Sequence, residues 1–202
     1  MSGPVYIAFE GSEASGKSTQ AKRLAEAIGA VHTRETGGTA VGARLREILH
    51  DVAVTDLDPR AEALIAAADR AQHLATVVEP ALAGGRHVVS DRTVYSTLAY
   101  QGYGRGVPLD DLRTINDWAI HGRWPDLVFL LTVAPDTTAR RMGKRDLDRF
   151  ERAGAEFHAR VDAGFREMAA ADPTRWIVVD ADHPIDTVSE LIRDVVRERF
   201  GV

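Results

Sequence analysis

Five short apolar runs punctuate the chain: Val5–Phe9, Ala30–Thr33, His87–Ser90, Leu127–Val133 and Trp176–Asp180. Runs of this length without strict polar alternation predict strands covered on both faces. Between them, apolar positions recur at helical spacing and predict helices over Lys17–Ile28, Ala40–Leu49, Pro59–Ala83, Val94–Gln101, Leu109–His121, Pro135–Met142, Ala153–Ala171 and Ile185–Phe200. Asp136 near the start of one helix and Gly84-Gly85 after another are fitting end signals. The alanine-rich stretch Pro59–Ala83 reads as one helix or two, and Ala30-Val31-His32-Thr33 is only half apolar. Strand and helix alternating in this way imply an α/β fold, a five-stranded parallel sheet flanked by helices. No repeat or linker interrupts the pattern, so residues 1–202 are expected to form a single domain. Ligands of such sheets bind beyond the carboxyl ends of the strands. Glu10–Ser18, Arg34-Glu35, Asp91-Arg92 and the stretch after Asp180 should therefore converge.

The first of these segments carries the clearest chemistry. Gly11-Ser12-Glu13-Ala14-Ser15-Gly16-Lys17-Ser18, followed by Thr19, satisfies G-x-x-x-x-G-K-[ST] between a strand pattern and a helix pattern. Its glycines let successive backbone N–H groups turn onto phosphate oxygens, and the helix opening near Lys17 aims its partial positive end at the same anion. Lys17 can reach the terminal phosphates, and Ser18 places a hydroxyl on a magnesium ion. The pattern is that of a P-loop NTPase, and the chain is expected to bind a nucleoside triphosphate.

Composition narrows the partners. A net charge of −5 gives no basic excess for a nucleic-acid polymer, so phosphate recognition must rest on local cations. There is no cysteine, hence no disulfide and no thiol catalysis. No charged-then-apolar leader pattern opens the chain, and no apolar run approaches the roughly 20 residues of a membrane helix. A cytoplasmic protein without a membrane partner is expected.

The local cations lie where the sheet would gather them. Asp91, ending the third run, suits a place beside a magnesium ion, and the planar fork of Arg92 can hold two phosphate groups at once. Arg34 follows the second run. Arg70 stands next to Asp69 in the alanine-rich helix, where an ion pair within the helix competes with ligand binding. The stretch Arg140–Arg149 carries five basic residues among ten. A lid over residues 140–151 would offset the repulsion between two phosphorylated substrates and exclude water.

Together these motifs resemble the thymidylate kinase family, which moves a phosphoryl group from ATP to dTMP. The resemblance rests on Phe9–Thr19, Thr33-Arg34-Glu35 with Gly37-Gly38-Thr39, Ala67–His73, Ser90-Asp91-Arg92, Ser96–Gly102, Pro125-Asp126-Leu127, Leu147–Glu151 and Val179-Asp180-Ala181, in family order. Ser96-Thr97-Leu98-Ala99-Tyr100-Gln101-Gly102 is the most specific of these, since generic P-loop proteins lack it.

The resemblance implies ATP and Mg2+ as cofactors and a homodimer. Gly11 to Ser18 would hold the ATP phosphates, and the loop beginning at Ala181 would pack against adenine. Glu13 would face the sugar 3′-hydroxyl of dTMP, with Arg34, Arg70 and Arg92 forming the acceptor site. Thr97 and Gln101 would bond the pyrimidine edge, and Tyr100 would crowd the 2′ position. Ala14 offers no cation inside the loop, so the lid residues Arg141, Lys144 and Arg145 are candidates for the catalytic cation; sequence does not rank them. The chain departs from the family pattern at Thr36, in place of proline, at Thr93, in a position often aromatic, and at Ala66, where many members stack a phenylalanine on thymine. Tyr95 and Tyr103 are candidates to replace that ring. The alternatives are a related deoxynucleotide or deoxynucleoside kinase with altered base preference, and a nucleotide-binding regulator without activity. A switch GTPase lacks support, because no Asn-Lys-x-Asp run is present to read guanine.

Overall fold

The structure, a computed structural model, describes residues 3–143 and 146–202. The strands are β1 (Tyr6–Glu10), β2 (Val31–Arg34), β3 (Val88–Asp91), β4 (Leu127–Thr132) and β5 (Trp176–Asp180). They form one parallel sheet in the order β2-β3-β1-β4-β5. Each strand begins and ends within a residue of its apolar run. Their carboxyl ends are level: Phe9 is in register with Asp91, Arg34 with Asp91, and Glu10 with Leu130. Chain order reverses direction around β1, which opens the crevice where such sheets bind ligands.

Alternate residues of the central strands feed two cores, which explains why the runs are apolar throughout. Ile7, Phe9, Leu127, Phe129 and Leu131 face the helices α1 (Lys17–Ile28) and α9 (Ile185–Phe200), which contribute Leu24 and Ile192. Ala8, Val128 and Leu130 face the opposite core. Phe9 and Phe129 stack across the first core with centroids 5.2 Å apart, each ring contributing about 1.5–3 kcal/mol by burial.

The opposite core is covered by α2 (Ala40–His50), α3 (Pro59–His73), α5 (Val94–Thr97), α6 (Leu109–Ile120) and α8 (Ala155–Ala171), with α4 (Glu79–Ala83) and α7 (Pro135–Met142) completing the helices. The stretch Pro59–Ala83 resolves into α3 and α4 joined by a π-helical turn, Leu74–Val78. Pro80 explains the widening: it lacks an N–H, and its ring crowds the carbonyl four residues back, in that turn. A second π-helical stretch, Leu98–Gly104, carries α5 past its expected end at Gln101. The helix expected from Ala153 begins instead at Ala155, after a 3₁₀ turn at Glu151–Ala153 and Gly154. Among the described residues, no helix is long and apolar enough to cross a membrane.

Candidate active site

The loop between β1 and α1 has the backbone that its glycines foretell. Gly11 has φ 135°, and a Cβ there would run into the Leu131 carbonyl; Gly16, at φ 94°, caps the N-terminus of α1. Ala14 is also left-handed. Lys17 is buried, donating to the Ser12 carbonyl at 2.5 Å and to Ser15 Oγ at 3.3 Å. Burial and the Arg92 charge lower its pKa to about 8, against the pull of Glu13 and Asp91.

Glu10, Asp91 and Arg92 form the junction at the strand ends. Glu10 is fully buried and accepts from Thr93 N (2.8 Å), Thr93 Oγ1 (2.9 Å) and Ser96 Oγ (2.6 Å), which fixes the turn after β3. That turn places Arg92 in a left-handed conformation, φ 68°, a strain of about 1–3 kcal/mol that the surrounding bonds must offset. Its guanidinium donates to Gly11 O (3.2 Å), Ser96 Oγ (3.1 Å), Glu13 Oε1 (2.5 Å) and Tyr100 Oη (3.0 Å). Burial alone would raise the Glu13 carboxyl, but Arg92 and Lys17 outweigh it and hold the pKa at about 2. Ser18 Oγ donates to Asp91 Oδ2, and Asp91 Oδ1 is buried without a hydrogen-bond partner among the described residues. A hydroxyl beside a carboxylate oxygen with free lone pairs is hard-oxygen chemistry that suits magnesium.

Two cavities meet at this junction. The first is lined by the loop residues Glu13, Ala14 and Gly16–Thr19 together with Arg34, Asp91 and Arg141. The second runs past Leu49, His50, Ala66, Arg70, Ser96, Thr97, Tyr100, Gln101 and Phe150. Glu13, Glu35, Arg46 and Arg92 line both.

The motifs around Arg34 and Arg70 prove to be one buried network. Glu35 accepts from Arg70 Nε at 2.7 Å and pairs with His73 Nδ1 at 2.8 Å, while Asp69 accepts from Gly37 N at 2.9 Å. Burial raises the Glu35 carboxyl, but Arg70 and His73 prevail and lower it. Arg70 also donates to Asn116 Oδ1, Thr93 O (3.3 Å) and Thr97 Oγ1 (3.1 Å). It therefore belongs to the deep end of the second cavity, and Arg34 to the first. Among the described residues the carboxylate partner of Arg70 is Glu35, not its neighbour Asp69, the competing role that sequence left open. Gln101 lines the second cavity, its amide donating to the buried Glu62 at 2.7 Å.

Arg141 bridges the loop after β1 and the loop after β5, donating to Ala14 O (3.2 Å) and Ala181 O (2.8 Å). Lys144 and Arg145 lie outside the described residues. Tyr95 and Tyr103 line neither cavity: Tyr95 packs between Trp124 and Trp176, and Tyr103 Oη donates to Glu167 at 2.7 Å. Sequence reasoning missed Arg46, His50, Glu62 and Asn116, and quoted Phe150 within the motif Leu147–Glu151 without giving it a role. Arg46 donates to Thr36 O at 3.2 Å, and burial with the nearby Arg34 and Arg92 charges lowers its pKa. Cations crowded along the walls of these cavities suit the binding of anions.

The thymidylate kinase family model matches residues 9–192. Curated relatives named thymidylate kinase include one from Nitratidesulfovibrio vulgaris, 43% identical with 96% of each chain covered. Another, from Leifsonia xyli, is 45% identical over 94% of this chain and 92% of its own. A crystal structure of thymidylate kinase from Ehrlichia chaffeensis superposes with a TM-score of 0.78 at 31% identity, covering 97% of this chain and 100% of that one. Matched along almost its whole length by sequence and by fold, the chain belongs to the thymidylate kinase family.

Proposed function

We propose that the first cavity holds ATP, the second holds dTMP, and the γ-phosphoryl group passes between them to give dTDP. The observation that carries this reading is the shared wall: Arg92, Arg46 and Glu13 face both cavities, so two phosphate groups would meet between two arginines. The loop N–H groups and Lys17 would grip the β- and γ-phosphates. Arg92 and Arg46 would take the charge that spreads over the transferred group in the transition state. The acceptor phosphate is already ionised near neutral pH, so no strong base is required, and catalysis reduces to positioning and charge stabilisation. Ser18 and Asp91 would hold magnesium, which when bound neutralises phosphate charge and orients the triphosphate.

Glu13, kept ionised by Arg92, would accept from the sugar 3′-hydroxyl, with Tyr100 crowding the 2′ position. Arg70, Thr97 and Gln101 would present donors and acceptors to the pyrimidine edge. Arg141, tied to both Ala14 and Ala181, is the described candidate for the lid cation. A homodimer is supported by the apolar side chains left exposed on α2, α3 and α6, namely Val41, Ile48, Leu64 and Trp118. Light scattering on the purified chain checks it.

ADP formation with ATP, magnesium and a panel of acceptors tests the function. Expected is turnover with dTMP, slower turnover with dUMP because one methyl is worth only about 1–3 kcal/mol, and none with thymidine. Preference for thymidine would move the chain to the deoxynucleoside kinases.

A further inference from the structure

Three aromatic side chains line the second cavity: His50, Tyr100 and Phe150. Two have polar commitments. His50 Nδ1 pairs with Asp148 Oδ2 at 2.7 Å, and Tyr100 Oη lies between Glu13 and Arg92. Phe150 presents an all-carbon ring, and its surroundings immobilise it. The Arg149 guanidinium covers it at 4.8 Å from the centroid, while His50 and Tyr100 meet it edgewise at 5.2 and 5.7 Å. Arg149 is fixed in turn by Leu49 O at 2.9 Å and Glu62 Oε2 at 2.6 Å. The other oxygen of Glu62 holds the Gln101 amide. One buried carboxylate thus orients both the ring and the amide that border the same cavity. Ala66 lines that cavity with a single methyl, and Leu49 adds an apolar side chain. A compartment with apolar Phe150, Leu49 and Ala66 beside polar Arg70, Thr97 and Gln101 suits a flat heteroaromatic ring with a hydrogen-bonding edge.

We propose that Phe150 is the ring on which the acceptor base packs, a specificity-determining residue held in place by Arg149 and Glu62. This rests on the reading of the second cavity as the dTMP site. Phe150 is the aromatic wall that Tyr95 and Tyr103 do not supply. It comes from the segment that follows the expected lid cations, tied to α3 through Arg149 and Glu62.

The test is steady-state kinetics of Phe150→Ala and Phe150→Leu with dTMP and ATP, alongside calorimetric dTMP binding and thermal melts. Leucine keeps apolar volume but loses the flat face, so it reports on stacking even where alanine fails to fold. Expected is a rise in the dTMP KM and Kd of about tenfold to hundredfold for alanine, a smaller rise of several-fold for leucine, and an ATP KM within about twofold of wild type. Leucine matching wild type for dTMP would overturn the proposal. So would a loss of kcat with the dTMP KM unchanged, or an equal rise in the KM of ATP. A wild-type chain that ignores dTMP would instead sink the function itself, so the two failures are distinguishable.

Discussion

Replacing Arg92 with alanine removes four hydrogen bonds that join the nucleotide loop, the turn after β3 and Tyr100. The catalytic cost is set by where that guanidinium lies, on the wall common to both cavities. Losing one preorganised donor to developing charge lowers turnover about 10²–10³-fold, and losing an arginine that stabilises a transferring phosphoryl group about 10³–10⁵-fold. A fall in kcat of about 10³-fold or more is expected.

The same substitution has a second, independent signature. Arg92 and Lys17 hold Glu13 at about 2, against an ordinary value of 4.5. A depressed carboxylate contributes stability that is fully present above its ordinary pKa and lost as pH falls through the folded value. Here that window is about pH 4.5 down to 2, and the contribution is on the order of 3 kcal/mol. Without Arg92, Glu13 titrates higher, so less stability is lost across that window and less is present at pH 7. Urea unfolding at pH 7, 4 and 2.5, with turnover at pH 7, measures both effects. A variant that keeps kcat within tenfold, or that loses stability to acid as the wild type does, would refute the placement of Arg92.

Lys17 titrates near 8 and bound phosphates favour its charged form, so ATP binding at pH 8.5 should take up protons; calorimetry in buffers of different ionisation enthalpy reads this, and Lys17→Ala should abolish it. Asp91→Asn should raise the magnesium concentration for half-maximal activity about tenfold while leaving the dTMP KM near wild type, because it removes charge from the carboxylate that Ser18 bonds. Gly11→Ala should lose ATP binding and several degrees of Tm, since φ 135° is strained by about 1–3 kcal/mol for a residue with a Cβ, which would also meet the Leu131 carbonyl.

The sheet and the nucleotide loop were legible because their signals are local. Apolar runs, the second of them only half apolar, marked the five described strands within a residue, and Gly11, Gly16, Lys17 and Ser18 declare a backbone shape in eight adjacent positions. The second cavity was legible where the family motifs named its residues, Glu13, Ala66, Arg70, Arg92, Thr97, Tyr100 and Gln101. Arg46, Glu62 and Asn116 come from separate helices and read in sequence as ordinary polar positions, while Phe150 stood within the motif Leu147–Glu151 without an assigned role; only the fold brings the four together. Arg70 looked like a phosphate ligand or a partner of Asp69, because sequence cannot show that Glu35, Asn116 and Thr97 surround it. The π-helical stretches were invisible for a related reason. Apolar spacing hardly changes when one turn widens, and Pro80 alone hints at it.

Competition by a single molecule joining adenosine to thymidine through a pentaphosphate tests the two-cavity arrangement most directly. If ATP and dTMP occupy adjoining cavities in line across Arg92, this ligand should inhibit competitively against both substrates and bind more tightly than either. Competition with ATP alone, with dTMP still binding beside it, would contradict the arrangement.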